Sequence, residues 1–288
     1  MSSSKSNTAA ESGTFTLGGD LTIHRMGYGA MRLTGEGIWG PPKDKSEAIR
    51  VLKATQDLGI NFIDTADSYG PNVSEELIAK ALHPYPDGLL IATKGGLERT
   101  GPNQWPVNGR PEHLEKALKG SLKRLKLERI DLYQLHRFDD KVPADEYLGK
   151  LAELQQQGYI RHLGVSEVSI DQIKQAQEHF EVVSVQNKFS FSDRKWEDEL
   201  HWTRENDIAF IPWYPLDAGA VDNKNLQQIA SKYDSSTHQI ALAWLLAYSP
   251  NILAIPGTSS VEHLKENTRA ATIQLDNEDL DALNKIGE

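Results

Sequence analysis

The stretch NFIDTADSYG, residues 61–70, decides how this chain is read. Phe62 and Ile63 follow an amphipathic run, SEAIRVLKATQDLG, in which Ile49, Leu52 and Leu58 recur at near-helical spacing and Gly59 suits a C-cap. They open a short buried strand. Asp64 then stands where an apolar residue would be expected, and Asp67, Ser68, Tyr69 and Gly70 follow at once. A strand that ends in a carboxylate, with a phenol five residues on, needs a reason beyond packing.

The same strand-then-helix rhythm runs outward from this point. VSEELIAKALH follows NFID as a helix. LLIATKGG is followed by PEHLEKALKGSLKRLKL, IDLYQLH by PADEYLGKLAELQQQG, and YIRHLGVS by SIDQIKQAQEHF. VVSVQNKFS precedes KWEDELHWTRENDI, AFIPWYPL precedes NLQQIASKY and STHQIALAWLLAYS, and ILAIPGTSS leads into VEHLKENTRAA. With MGYGAM upstream, that makes eight strands, each followed by helix. Apolar, β-branched strands of this kind fit a parallel sheet buried on both faces. The alternation predicts an α/β protein, and eight units in one chain of this size predict a closed (β/α)8 TIM barrel. TFTLGG and DLTIHRM predict a short N-terminal β-hairpin turning at Gly18, Gly19 and Asp20, and NEDLDALNKIG a C-terminal helix on the exterior. No linker or change of composition divides the chain, so residues 14–288 are expected to form a single domain. Residues 1–13, small and polar with no apolar core segment, are expected to be a disordered tail.

Composition narrows the partners. The 288 residues carry a net charge of −10, and the pI is about 5.4. Bulk attraction to nucleic acid or to an anionic membrane is therefore not expected. No apolar run is long enough for a membrane span. The absence of cysteine excludes disulfides, thiolate metal sites and a cysteine nucleophile, and it fits a cytoplasmic protein. No metal site is expected. A monomer or weak oligomer is the expected form.

In a barrel of this type the C-terminal strand ends build the active site. Asp64 ends the second strand, with Tyr69 in the loop behind it. Lys94 ends the third strand and His136 the fourth. Each has a plain structural explanation: a turn cap, a half-buried aromatic, a snorkelling stem, a satisfied rim histidine. Three successive strands delivering ionisable side chains to one rim weigh more than any one of them. A phenol ordinarily titrates near ~10. An adjacent ammonium stabilises the phenolate and is expected to lower that value. A carboxylate would hold the ammonium in place, and an imidazole would steady a carbonyl oxygen. This is equipment for general acid catalysis on a forming alkoxide. A hydride is still needed, and a nicotinamide cofactor can supply it.

NFIDTADSYG, IATKGG, LYQLHR, GVSE, SVQNKFS and IPGTSSVEHLKEN, in this order, resemble the motifs of the aldo-keto reductases, over essentially the whole chain from about residue 15. The likeness extends to short-C-terminal-loop members, including pyridoxal-reductase-like ones. The resemblance implies an NADPH-dependent reduction of aldehydes and some ketones, with NADH as a possible alternative cofactor. It implies that Tyr69 donates the proton, that Lys94 and Asp64 form its charge relay, and that His136 orients the carbonyl.

The dinucleotide fingerprint G-x-G-x-x-G is absent, because GYGAMR from Gly27 lacks the third glycine and opens no helix directly. IPGTSSVEHLKEN instead fits a phosphate site at a helix N-terminus after the last strand. Gly257 allows close backbone approach, and Thr258, Ser259 and Ser260 bring hydroxyls to the helix start. Ser259 and Glu262 also read as a capping box. The resemblance implies that Gly257, Thr258, Ser259, His263, Glu266 and Asn267 hold the adenosine 2′-phosphate. It places Ser166 and Gln186 on the carboxamide, Tyr214 against the nicotinamide ring with Pro215 and Leu216 beside it, and Gly29, Ala30, Met31 and Asp64 on its other side. Two positions depart from many relatives. Glu167 stands where asparagine is usual, and the 2′-phosphate loop offers only His263 and Lys265 as cations.

Tyr28, Trp39, Trp105 and Phe189 are expected at the pocket mouth, where aromatic walls suit an apolar carbonyl compound. Arg137 either pairs with an acidic wall residue or meets a substrate anion. The chain ends soon after its last helix, so an open site with broad, modest affinity for aldehydes is expected, a pyridoxal-type aldehyde among them. Two other readings stay open: a non-catalytic nicotinamide-binding subunit, like the potassium-channel β subunits that share this fold, and a barrel enzyme using Lys94 as a Schiff base.

Overall fold

The computed structural model describes residues 9–214 and 224–287. Seven parallel strands pair in sequence order: β3 (Tyr28–Gly29), β4 (Phe62–Asp64), β5 (Leu90–Gly95), β6 (Ile130–Leu135), β7 (Ile160–Ser166), β8 (Val182–Gln186) and β9 (Ala209–Phe210). The eighth expected strand makes single bridges rather than a ladder. Phe210 N donates to Asn251 O and Leu253 N to Phe210 O, while Ala254 N donates to Arg25 O and Gly27 N to Ala254 O. These bonds close the ring between β9 and β3. Pro256 has no N–H to extend the pairing. The seam is also tight: a Cβ on Gly29 would lie 2.6 Å from Ile255 O, so only glycine fits there.

Between the strands run the helices α1 (Lys45–Asp57), α2 (Val73–Leu82), α3 (Pro111–Leu125), α4 (Ala144–Gln156), α5 (Ile170–Gln177), α6 (Glu197–Glu205), α7 (Lys224–Lys232), α8 (Thr237–Tyr248) and α9 (Val261–Arg269). α1 shows why the pattern was readable. Asp44 caps its first turn by accepting from Ser46 N and Glu47 N, Ala48, Val51, Leu52 and Thr55 form the buried stripe, and Gly59 ends it at φ +71°. The expected C-terminal helix is α10 (Asn277–Asn284), tied to α8 by Trp244 Nε1 donating to Asn284 Oδ1. No helix among the described residues is long and apolar enough to cross a membrane.

Strand alternation sorts the core into two parts. Ile63, Ile91, Tyr133, Leu135 and Val165 point outward and pack with the helices. Phe62, Leu90, Ala92, Leu132, Ala209, Ile211 and Leu253 point into the barrel. The hairpin of β1 (Thr14–Leu17) and β2 (Leu21–His24) adds Leu17 and Ile23 to this interior cluster and closes the N-terminal end. Its turn residue Asp20 accepts from Arg161 Nη2 and lies 2.7 Å from His162 Nε2.

Two expectations about the N-terminal part are corrected. Ala9–Ser12 form a 3-10 turn with Ala9 and Ser12 buried, so this part of the expected tail is folded against the domain. Backbone bonding explains it: Ala9 N donates to Leu58 O and Met26 N to Ser12 Oγ. MGYGAM is a strand only at Tyr28–Gly29, and Ala30–Leu33 form a 3-10 turn.

Candidate active site

Two residues beyond the apolar interior layer, the inward side chains turn polar. Asp64 stands above Phe62, Lys94 above Ala92, and Gln134 and then His136 above Leu132. Ser166 and Gln186 end β7 and β8 and face each other in register. The period of two therefore explains how separate strands place Asp64, Lys94, Gln134, His136, Ser166 and Gln186 at one end of the barrel.

At the centre is a buried ion pair. Lys94 Nζ donates to Asp64 Oδ1 at 2.6 Å and to Thr65 O at 2.8 Å, and Lys94 is 0% exposed. Asp64 Oδ2 accepts from Gln134 Nε2 and Gln186 Nε2 at 3.1 and 3.0 Å. Burial pulls the Lys94 ammonium down, but Asp64 and Tyr69 outweigh it and hold its pKa above the usual lysine range. Tyr69 comes back over this pair on the loop after β4, with Lys94 Nζ 5.2 Å from its ring centroid. The expected acidification of the phenol is not the net result. Burial pushes Tyr69 up, and the pull of Lys94 only partly offsets it.

His136 meets Tyr69 edge-on, ring centroids 6.0 Å apart. Burial first, then Lys94 and Arg137, holds the imidazole well below its usual pKa, so it is neutral. Its Nδ1 is buried without a partner, which leaves Nε2 to the cavity. A neutral imidazole in this position can donate to a carbonyl oxygen.

A cavity of about 800 Å³ opens above these groups. Of the residues expected at the site, Gly29, Met31, Asp64, Tyr69, Trp105, His136, Arg137, Ser166, Gln186, Tyr214 and Gly257 line it. Lys94 lies beneath, and Ala30 is buried behind. Gly257 is bare by necessity, since a Cβ there would lie 2.9 Å from Gly29 O. Pro215 and Leu216 fall outside the described residues.

Several expectations do not hold. Phe189 is fully buried between Trp244, Phe210 and Tyr248 and belongs to the outer core. Tyr28 is fully buried too, because it is an outward residue of β3, and its hydroxyl donates to Thr258 O at 2.6 Å. It props the 257–260 loop from below. Trp39 lies behind the wall, 5.5 Å from the Arg99 guanidinium. The cap of α9 is Ser260, whose Oγ accepts from His263 N, and not Ser259, because Ser260 is the residue with extended backbone before the first turn. Ser259 and His263 are exposed. Asn267 is buried on α9, and Glu266 borders a separate groove with Lys265 and Arg269. Lys265 is paired with Glu262 at 3.5 Å.

Sequence reasoning missed several contributors. Arg32, from the 3-10 turn, lines the cavity beside Gly257 and has no carboxylate within 4.0 Å among the described residues. Trp213 and His238 also line it. Arg99 donates to five backbone carbonyls, those of Gly37, Ile38, Ser68, Gly101 and Gln104, at 2.7–3.2 Å, and stacks 3.6 Å from the Trp105 ring. It fastens three loops of the mouth together, including the one that carries Tyr69. Glu167 takes the left-handed conformation at φ +56°, and its Oε1 accepts from Lys188 N and Trp213 Nε1 at 2.8 and 2.6 Å. The carboxylate therefore braces a cavity wall.

The chain matches the aldo/keto reductase family model over residues 25–288. It is 51% identical over 282 residues to an uncharacterized oxidoreductase of Schizosaccharomyces pombe, covering 97% of this chain and 92% of that one. It is 41% identical to pyridoxine 4-dehydrogenase of Escherichia coli, covering 96% and 98%. Among solved structures, glycerol dehydrogenase from Gluconobacter oxydans superposes with a TM-score of 0.86 at 28% identity, covering 96% and 95%.

Proposed function

Taking as premise that this chain belongs to the aldo/keto reductase family, we propose that it reduces aldehydes to alcohols with NADPH, using Tyr69 as proton donor. The observation that carries this reading is the Asp64–Lys94 pair, buried at 2.6 Å directly beneath Tyr69 in a cavity that His136 also lines. A bound dihydronicotinamide would supply the hydride.

The rest is work for side chains. Burial keeps the Tyr69 hydroxyl protonated at neutral pH, so the acid is loaded before reaction. As the proton leaves, Lys94 faces the growing phenolate charge, and Asp64 keeps the ammonium in place. His136, neutral and presenting Nε2, holds the carbonyl oxygen toward the phenol. Residues fit for the cofactor surround this point: Ser166 and Gln186 for the carboxamide, Tyr214 for the ring face, and Gly29 and Gly257 for close backbone approach. The unpaired Arg32 guanidinium beside Gly257 favours a phosphate-rich ligand and, with His263, supports NADPH. Identity of 41% to pyridoxine 4-dehydrogenase supports a pyridoxal-type aldehyde as substrate. Schiff-base chemistry is disfavoured, because Lys94 is wholly buried and held as an ammonium. A cytoplasmic, single-domain monomer or weak oligomer completes the reading.

The test is NADPH consumption with a nitrobenzaldehyde or pyridoxal. Tyr69→Phe is expected to lower kcat by about 10²- to 10⁴-fold and to leave NADPH affinity unchanged. A wild-type rate in that variant would overturn the assignment of the acid.

A further inference from the structure

Arg137 is held by one edge and open on the other. Its Nη1 donates to His136 O at 2.6 Å and to Ser166 Oγ at 3.0 Å. Both acceptors are neutral. Among the described residues no carboxylate lies within 4.0 Å of the guanidinium, and no hydrogen-bond partner is found for Nε or Nη2. Neither atom is buried without a partner, and Arg137 is one of the residues that line the cavity. The acid that acts on it most strongly, Glu167, is engaged with Trp213 and Lys188 N. Trp213 stands 5.9 Å from the Arg137 Cζ, and Trp105 lines the same space.

A partly desolvated cation with no carboxylate in direct contact among the described residues is costly unless a ligand completes it. Guanidinium edges are shaped for two parallel bonds to an anionic oxygen group, and here one edge is fixed in advance. We propose that Arg137 is an anion-recognition site for the substrate, selecting aromatic aldehydes that carry an anionic oxygen, phenolate or carboxylate, on the ring. The two tryptophans flank the ring and the Nε/Nη2 edge receives the anion, while Tyr69 and His136 face the carbonyl. The inference rests on the proposed reduction for the word aldehyde, but the anion site itself does not.

The experiment therefore has a binding arm and a turnover arm. In the first, the NADP⁺-loaded protein is titrated with benzoate and with benzamide, read by tryptophan fluorescence. Benzoate is expected to bind at least about tenfold tighter, as a charge-assisted pair allows. Arg137→Met should erase the difference, and Arg137→Lys should recover only part of it. In the second arm, kcat/KM is compared for 3-formylbenzoate against its methyl ester, and for pyridoxal against pyridine-4-carbaldehyde. The pair with the larger ratio identifies carboxylate or phenolate as the anion, and both ratios should fall toward one in Arg137→Met. Equal binding of benzoate and benzamide, a preference that survives Arg137→Met, or a loss of NADPH affinity in that variant with unchanged substrate ratios would overturn the proposal. If benzoate binds as expected but no aldehyde consumes NADPH, the reduction reading falls and the anion site stands. Should Arg137→Met fail to fold, the wild-type ratios and Arg137→Lys decide the matter.

Discussion

Lys94→Met should destabilise the protein by about 3–5 kcal/mol, the usual penalty for breaking a buried ion pair from one side. The geometry says where that penalty arises. Lys94 supplies the bond to Asp64 Oδ1 and another to Thr65 O, and its side chain is entirely out of water. Methionine fills similar space and donates nothing. Asp64, itself only 2% exposed, is then left with two amide donors, both on Oδ2. For a chain of this size the penalty corresponds to a fall in Tm of roughly 6–10 °C. Asp64→Asn alone should also destabilise, because it leaves an ammonium facing a neutral amide and one carbonyl. The double variant Asp64→Asn with Lys94→Met removes both charges together and should be more stable than the sum of the single effects, by roughly 1–3 kcal/mol. Urea unfolding of the four proteins, followed by circular dichroism, measures this cycle. Additivity within about 0.5 kcal/mol would mean that the two charges do not depend on each other, and the reasoning about the catalytic floor would fail with it.

The pH dependence of reduction should be broad: with Tyr69 pushed up and His136 pushed down, kcat/KM should stay level from about pH 6.5 to 10; a fall beginning near neutrality as pH rises would contradict the Tyr69 direction, and one beginning there as pH drops the His136 direction. Asp67, on the same loop as Tyr69, is pushed up to about 8, first by burial and then by Glu75, and its Oδ1 has no partner. An acid whose folded pKa is raised binds more protons when folded, so its contribution to stability is lost as pH rises between its unfolded value and about 8. Asp67→Asn should therefore stabilise the protein at pH 9 relative to pH 5, by up to roughly 4 kcal/mol, and equal effects at the two pH values in urea unfolding would refute this. Arg99→Met should release the three loops it fastens, lowering kcat/KM for bulky aldehydes by up to about 100-fold, with a smaller effect on a small aldehyde. Limited proteolysis should then cut at residues 99–105, and an unchanged digestion pattern would argue against the clamp.

How much could be read in advance follows from which signals are local. Helix caps, strand alternation and the polar residue ending each strand are written within a few positions, so Asp64, Lys94 and His136 could be placed together before any coordinates, while Ser166 and Gln186 were added by the family resemblance. Phe189 and Tyr28 could not be placed, because a large aromatic near a strand end is equally at home at a cavity mouth and in the outer core. Only the alternation of β3, and the packing of Phe189 on Trp244, decides. The role of Arg99 was invisible for another reason. Its partners are backbone carbonyls of three loops up to 62 positions away, and carbonyls leave no mark in a sequence. Glu167 could be seen as unusual, but its turn toward Trp213 depends on a left-handed backbone that no residue type announced. The sign of the Tyr69 shift needed the depth of burial, which the pairing of charges alone could not give.

The hairpin at the far end turns the barrel into a vessel with a stopper. Leu17 and Ile23 leave no passage through the base, so every molecule that reaches Tyr69 departs by the route it entered. The rim near Trp105 and Arg99 is then both doorway and exit, so whatever narrows it slows arrival and departure alike.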